Sequence, residues 1–390
     1  MFTILKGGRI FSPVDLGIKD LVMTPNLITT IAKDIIPIAT YGDVEIIDVS
    51  GKYVVPGFID QHVHLIGGGG EGGFATRTPE VQLTSVTLSG ITTVVGCLGT
   101  DGTTRHMESL LAKARGLEIE GISTYVYTGA YEVPTCTITG SVRKDMILID
   151  KVIGCGEIAI SDHRSAEPLK EEIAKLAAEA RVGGILSGKA GVFHLHVGSG
   201  KRKLSMVLDL LNETDLPITT FTPTHLNRNS ALLEDAVKFA QLGGYIDFTA
   251  GEASVSERSG VEPVEAIKYC LSKGVNIERI TMSSDGNGSM PNFNEEGQYI
   301  GLRVAQLKSL QEQFKYIVRK SGLNLAQALQ VITANPAKSL KLYPKKGAIL
   351  PGSDADIVVL DDDLKVDYVF AKGRCVVRAG IPVVKGTFEN

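Results

Sequence analysis

The chain has 390 residues, 43% hydrophobic and 22% charged, with a formal net charge of −4. This is ordinary globular material, enough for one large domain and a smaller one, and it argues against a general nucleic-acid binder. The five cysteines (Cys97, Cys136, Cys155, Cys270 and Cys375) show no C-x-x-C spacing, so neither a disulfide framework nor a thiolate zinc site is expected. The N-terminus lacks a basic region followed by an apolar core, and no apolar run is long enough to span a membrane, which makes the cytoplasm the default location.

The first 56 residues read as short strands and turns: Thr3–Lys6, Asp20–Met23, Leu27–Ala32 and Glu45–Val49. A different rhythm follows. Apolar or β-branched runs recur at Phe58–His64, Ile91–Leu98, Ser123–Tyr131, Val152–Asp162, Val192–Val197, Ile218–His225, Tyr245–Ala250 and Arg279–Asp285. Helical patterns lie between them, such as Thr104–Glu120, Leu169–Arg181, Lys203–Asn212, Ala231–Leu242 and Val264–Lys273. Strands alternating with helices predict an α/β fold, a (β/α)8 TIM-type barrel over 57–345, with a doubly wound open sheet as the alternative. The barrel is preferred because it would gather the reactive residues at the strand ends around one rim. From about residue 346 the short-strand style returns, with Ile357–Asp361, Val366–Ala371 and Cys375–Arg378. Residues 1–56 and 346–390 are therefore expected to form one small β-sandwich together.

Five of the seven histidines fall at predicted strand ends: His62 and His64, His194 and His196, and His225. Asp285 ends the last strand. Side chains alternate along a strand, so the two imidazoles of an H-x-H point the same way, an arrangement that suits a divalent metal. The other two, His106 and His163, have no such placement; His106 is expected to start a helix. Glu157 heads the apolar run Ile158–Ile160, where a buried carboxylate is costly unless it is paired or bound to metal. Gly154 and Gly156 flank Cys155 just before it, and glycines suit a bulge that re-aims a side chain.

Pro56-Gly57-Phe58-Ile59-Asp60-Gln61-His62-Val63-His64, the later histidines, Asp285 and the tail Ile349–Leu360 resemble the amidohydrolase superfamily. Within it, His64–Glu71, Thr76–Glu80, Leu98–Asp101, Thr128–Tyr131, Ile138–Ser141, Ile160–Ser165, Pro223–Arg228 and Ser283–Ser289 look like the bacterial isoaspartyl (β-aspartyl) dipeptidases. The resemblance implies two Zn2+ ions per subunit. His62 and His64 with Asp285 would hold one, and His196 and His225 the other, with a hydroxide between them. The family's usual bridging ligand is a carboxylated lysine, and Glu157 stands at that position. Glu157 would bridge the ions directly on a shorter arm; the rivals are a carboxylated Lys151 swinging in, or a degraded, mononuclear or inactive site. His194 and His196 face one way, and matching the flanking glycines selects His196.

The resemblance also implies hydrolysis of β-aspartyl dipeptides, with Asp285 as general base and then acid and Tyr131 as a donor to the developing oxyanion. Glu71 would take the α-ammonium, Arg164 the aspartyl α-carboxylate, and Arg228 with Ser289 the carboxylate of the leaving residue. Thr100, Tyr131 and the backbone near Gly69 would complete the pocket. Arginine is well matched to carboxylates by its forked donors. The implied partners are a small dipeptide and further copies of the chain, up to an octamer, with no nucleic acid and no membrane. The alternatives are a cyclic-amide hydrolase of the dihydroorotase or hydantoinase kind, an N-acyl-amino-acid deacylase, or a non-catalytic scaffold.

Overall fold

The computed structural model describes residues 2–36, 43–251, 260–294 and 299–389. The chain begins with strands β1 (Phe2–Ser12), β2 (Val14–Met23), β3 (Ile28–Ala32), β4 (Val44–Asp48) and β5 (Tyr53–Pro56). Then come β6 (Phe58–Val63), β7 (Ile91–Gly96), β8 (Ser123–Thr128), β9 (Val152–Ile160), β10 (Val192–Val197), β11 (Phe221–Thr224), β12 (Ile246–Thr249) and β13 (Ile280–Ser283). A hairpin of β14 (Ser289–Phe293) and β15 (Tyr299–Val304) follows, and the chain ends with β16 (Ile357–Leu360), β17 (Val366–Ala371), β18 (Arg374–Arg378) and β19 (Ile381–Pro382).

Both ends of the chain share one nine-stranded sheet, in the order β19-β18-β17-β16-β5-β1-β2-β3, with β4 paired to β1. The seam between them is antiparallel, β16 against β5, with Ile357 opposite Pro56 and Leu360 opposite Tyr53. Leu5, Ile10, Leu21, Val54, Ile357 and Phe370 belong to one buried cluster, so neither terminus has a core of its own. β1 runs through Gly7 and Gly8, where the expected strand stops short. A bulge there is held by Asp20, which accepts from the Gly7 amide at 2.8 Å and from Lys6 at 2.6 Å.

The central strands are parallel. β6 to β11 form a six-stranded sheet in sequence order, and β12 and β13 form a two-stranded pair. Every residue of β6, β7, β9 and β10 is buried, as befits a parallel sheet covered on both faces. The pair is tied to both edges of the sheet. His64 N donates to Gly286 O at 2.9 Å beyond β13, and Leu226 N donates to Asp247 O at 3.2 Å in β12. The fully buried Asp247 carboxylate accepts from Gln61, Thr224, Thr281 and Ser283 at 2.6–2.7 Å, joining β6, β11, β12 and β13. Burial raises its pKa; the four donors only partly offset this.

Helices follow the strands at Met107–Glu120, Lys170–Ser187, Ser205–Glu213, Ser230–Gln241 and Pro263–Ser272. In Ser230–Gln241, Leu232, Leu233, Ala236, Val237, Phe239 and Ala240 are buried along one face, and the Asn229 side chain caps the Leu232 amide at 2.8 Å. The first of these helices starts later than its pattern suggests. His106 is its N-cap, because Asp101 holds the Thr103 and Thr104 amides in a turn at 3.1 and 2.7 Å. Ile218–Thr220 is a 3-10 turn after Pro217 rather than the start of β11. The β14–β15 hairpin has no counterpart in the sequence reading, because Pro291 and Asn292 break the alternation that marks a strand. Among the described residues, no helix is long and apolar enough to cross a membrane.

Candidate metal centre and substrate pocket

The C-terminal ends of the parallel strands converge on Glu157. It sits in a bulge of β9: Cys155 pairs with Phe193 and Ile158 with Leu195, so Gly156 and Glu157 together oppose His194 alone. A side chain at Gly156, where φ is +148°, would collide with the His194 carbonyl, and one at Gly154 would lie 2.6 Å from the Val192 oxygen. The glycines let β9 press against β10 while Glu157 turns inward. Lys151 precedes β9 and pairs with Glu118, with its ammonium 5.7 Å from the Tyr125 ring centroid. It is thus engaged away from Glu157, against the idea that it swings in.

Glu157 is fully buried, and its two oxygens face different histidines. Oε1 lies 3.4 Å from His62 Nε2 and 3.7 Å from His64 Nε2. Oε2 lies 3.1 Å from His196 Nδ1 and 3.7 Å from His225 Nε2. Asp285 Oδ1 completes the first group, 3.1 Å from His64 Nε2 and 3.5 Å from His62 Nε2. Burial opposes ionisation of Glu157, yet the charge of His62 and the close approach of the His196 and His225 imidazoles outweigh it and hold the carboxyl well below its usual range. Asp285 is likewise held low: burial is outweighed by the His64 hydrogen bond and by the charges of His225, His62 and His64.

His62 Nε2 and Glu157 Oε1 are buried and make no hydrogen bond. Such atoms are costly unless something satisfies them, and a metal ion does so for an imidazole nitrogen and a carboxylate oxygen alike. The donor set therefore fits a metal ion, as the resemblance implies. His194 stands apart from the Glu157 oxygens: it stacks on Tyr127 at 4.6 Å and lies 2.8 Å from His62 Nδ1 and 3.2 Å from Thr222 Oγ1. His196, with Glu157 and His225, forms the second compact group.

A cavity of about 220 Å³ opens over this cluster, bordered by His64, His196 and Asp285. All seven residues expected to bind substrate line it: Gly69, Glu71, Thr100, Tyr131, Arg164, Arg228 and Ser289. Glu71 Oε1 accepts from Thr100 Oγ1 at 2.9 Å and from Arg164 Nη1 at 3.2 Å. The loop bearing Gly69 is held from behind by Arg105, which donates to Gly68 O at 2.7 Å and Gly69 O at 3.2 Å. The exposed His163 contributes nothing to the cavity.

Two residues that the sequence reading passed over belong to this site. Asp162 accepts from Arg164 Nε at 2.9 Å and Nη2 at 2.8 Å, and its Oδ2 is 2.9 Å from His196 Nε2. One carboxylate thus orients a cavity arginine and a histidine of the second candidate ligand group. Burial disfavours its charge, but the Arg164 and His196 hydrogen bonds prevail and hold its pKa far below normal. The signal was its place two residues before Arg164 at the end of β9. The other is Cys97, just beyond β7.

Residues 53–381 match the amidohydrolase family. The chain belongs to that family. It is 43% identical to a β-aspartyl dipeptidase of Fervidobacterium islandicum AW-1 solved in complex with β-Asp-Leu, with a TM-score of 0.89 and 98% of each chain covered. Dihydropyrimidinase from Brevibacillus agri NCHU1002, at 18% identity, TM-score 0.70 and coverage of 99% of this chain and 97% of that one, shares the fold. Adenine deaminase of Desulforamulus reducens is 25% identical over 351 residues, covering 86% of this chain and 51% of that protein. The chain spans about half the length of the curated relatives it first matches. The TIM-type barrel of the amidohydrolases is the architecture these likenesses support.

Proposed function

We propose that this amidohydrolase cleaves the isopeptide bond of β-aspartyl dipeptides at a binuclear metal centre. The observation that carries the reading is Glu157, one buried carboxylate whose two oxygens face two separate histidine pairs. The likeness to a dipeptidase that binds β-Asp-Leu points to the same substrate class. In this reading the parallel strands close into a (β/α)8 barrel over 57–345, beside a β-sandwich of 1–56 and 346–390. His62, His64 and Asp285 would hold one zinc and His196 and His225 the other, with Glu157 bridging them and no carboxylated lysine.

When bound, two zinc ions lower the pKa of the attacking water and polarise the scissile carbonyl. The side chains do the rest. Asp285, kept ionised by its histidine neighbours, accepts the water's proton and returns it to the leaving amine. The Tyr131 hydroxyl, 2.6 Å from His196 Nδ1 and kept protonated by burial, donates to the developing oxyanion. Glu71 and Arg164 face each other at 3.2 Å, so the α-ammonium and α-carboxylate of the aspartyl residue bind side by side against them. Arg228 and Ser289 take the carboxylate of the leaving residue, and Thr100 and the Gly69 backbone close the pocket. A cytoplasmic homo-oligomer, up to an octamer, belongs to the same reading.

Turnover of β-Asp-Leu by the zinc-loaded protein, set against α-Asp-Leu, dihydroorotate and adenine, tests the proposal. β-Asp-Leu is expected to be strongly preferred. Hydrolysis of dihydroorotate or deamination of adenine with β-Asp-Leu untouched would overturn it.

A further inference from the structure

The residue after β7 carries a thiol into the histidine cluster. Cys97 is fully buried, and its Sγ lies 3.7 Å from the Val63 carbonyl oxygen and 3.8 Å from His64 Nδ1. One ligand atom each from His62, His64, Cys97 and Glu157 falls within 4.8 Å of all the others. Two atoms of the cluster are unsatisfied: His62 Nε2 and Glu157 Oε1, 3.4 Å apart, are buried and make no hydrogen bond. Nitrogen, oxygen and sulfur donors therefore meet at one buried point, and two of them lack a hydrogen-bond partner among the described residues.

We propose that Cys97 is a thiolate ligand of the metal ion held by His62, His64 and Glu157. The inference rests on the metal centre argued above and adds to it a ligand that the spacing of the cysteines argued against. Absence of a C-x-x-C pair excludes a site built mainly of thiolates, but not one sulfur supplied by a neighbouring strand end among imidazoles. On coordination the S–H bond breaks, its proton leaves to solvent, and the sulfur lone pair binds the ion; no electron is transferred. A third anion, beside Glu157 and Asp285, further offsets the charge of a buried dication. A soft donor also favours zinc or cobalt over manganese or magnesium at this position. None of the other four cysteines belongs to either candidate ligand group among the described residues.

Zinc X-ray absorption on the unmodified protein tests this without a variant. A sulfur scatterer at about 2.3 Å is expected beside nitrogen and oxygen at about 2.0–2.2 Å. The protein is then stripped with a chelator and loaded with Co(II). A near-ultraviolet thiolate-to-cobalt band should appear and be missing in Cys97→Ser that still takes up cobalt. Bound metal with only nitrogen and oxygen scatterers and no thiolate band overturns ligation by Cys97 and leaves the histidine–carboxylate centre standing. Failure of the unmodified protein to retain zinc or cobalt overturns both.

Discussion

Replacing Glu157 strikes the one group shared by both halves of the proposed centre. Four-ligand zinc sites bind with roughly 10–16 kcal/mol, so a single ligand contributes about 3 kcal/mol. Each ion that loses one carboxylate oxygen should therefore bind about two decades more weakly. Both ions are affected, because Oε1 faces His62 and His64 while Oε2 faces His196 and His225. Glu157→Gln keeps the volume and the backbone of the β9 bulge while removing the charge, and Glu157→Asp withdraws the carboxylate by one methylene. The assay is metal per subunit after dialysis against a weak chelator, read beside β-Asp-Leu turnover. The unmodified protein should hold two ions, and the variants fewer, with turnover falling in step. Reconstitution in bicarbonate-free buffer should give full activity, since Glu157 needs no carbon dioxide. Two ions retained by Glu157→Ala with activity intact would refute the bridging role, and so would a dependence on carbon dioxide.

Other side chains make separate predictions. Asp285→Asn should lower kcat by about 10²–10⁴, the usual contribution of general acid–base catalysis, and a near-normal kcat would remove it from that role. Asp162→Asn should weaken metal binding about 10–100-fold through His196 and raise KM through Arg164; metal affinity and KM both unchanged would mean that the carboxylate orients neither. Asp101 accepts from Arg77 at 2.6 Å and from the Thr104 amide at 2.7 Å, and its pKa is lowered to about 2, burial being outweighed by hydrogen bonds from Thr104 and Arg77. Its folded pKa lies below its unfolded one, so the stabilisation is complete above the unfolded value and is lost as pH falls through the folded one. Asp101→Asn should cost about 1 kcal/mol after solvent screening. In urea unfolding that deficit should shrink below about pH 4, and a deficit that grows on acidification would reverse the sign of the argument.

Much of this site is legible in one dimension because strand periodicity is simple. Two residues apart on a strand means one face, so His62 with His64, and Glu157 at the head of an apolar run, announce themselves before any coordinates. The motif strings around Glu71, Tyr131, Arg164, Arg228 and Ser289 name the pocket, and all five line one cavity. The short-strand style of the first 56 residues returns after residue 346, and β16 pairs with β5 across the two ends.

What the sequence could not decide depends on which strand ends meet. His194 and His196 are equivalent by periodicity, and the choice of His196 rests on the family's flanking glycines; the physical difference between them lies in the packing of Tyr127 and Thr222 around His194 and of Glu157 and Asp162 around His196. Cys97 has no partner within its own stretch of chain, because its neighbours His62, His64 and Glu157 come from β9 and from the end of β6. The double use of Asp162, and the bulge that lets a short carboxylate reach both histidine pairs, are likewise relations between strands. Local spacing determines which face a side chain occupies. Only the closeness of β6, β7, β9 and β10 determines what that side chain meets.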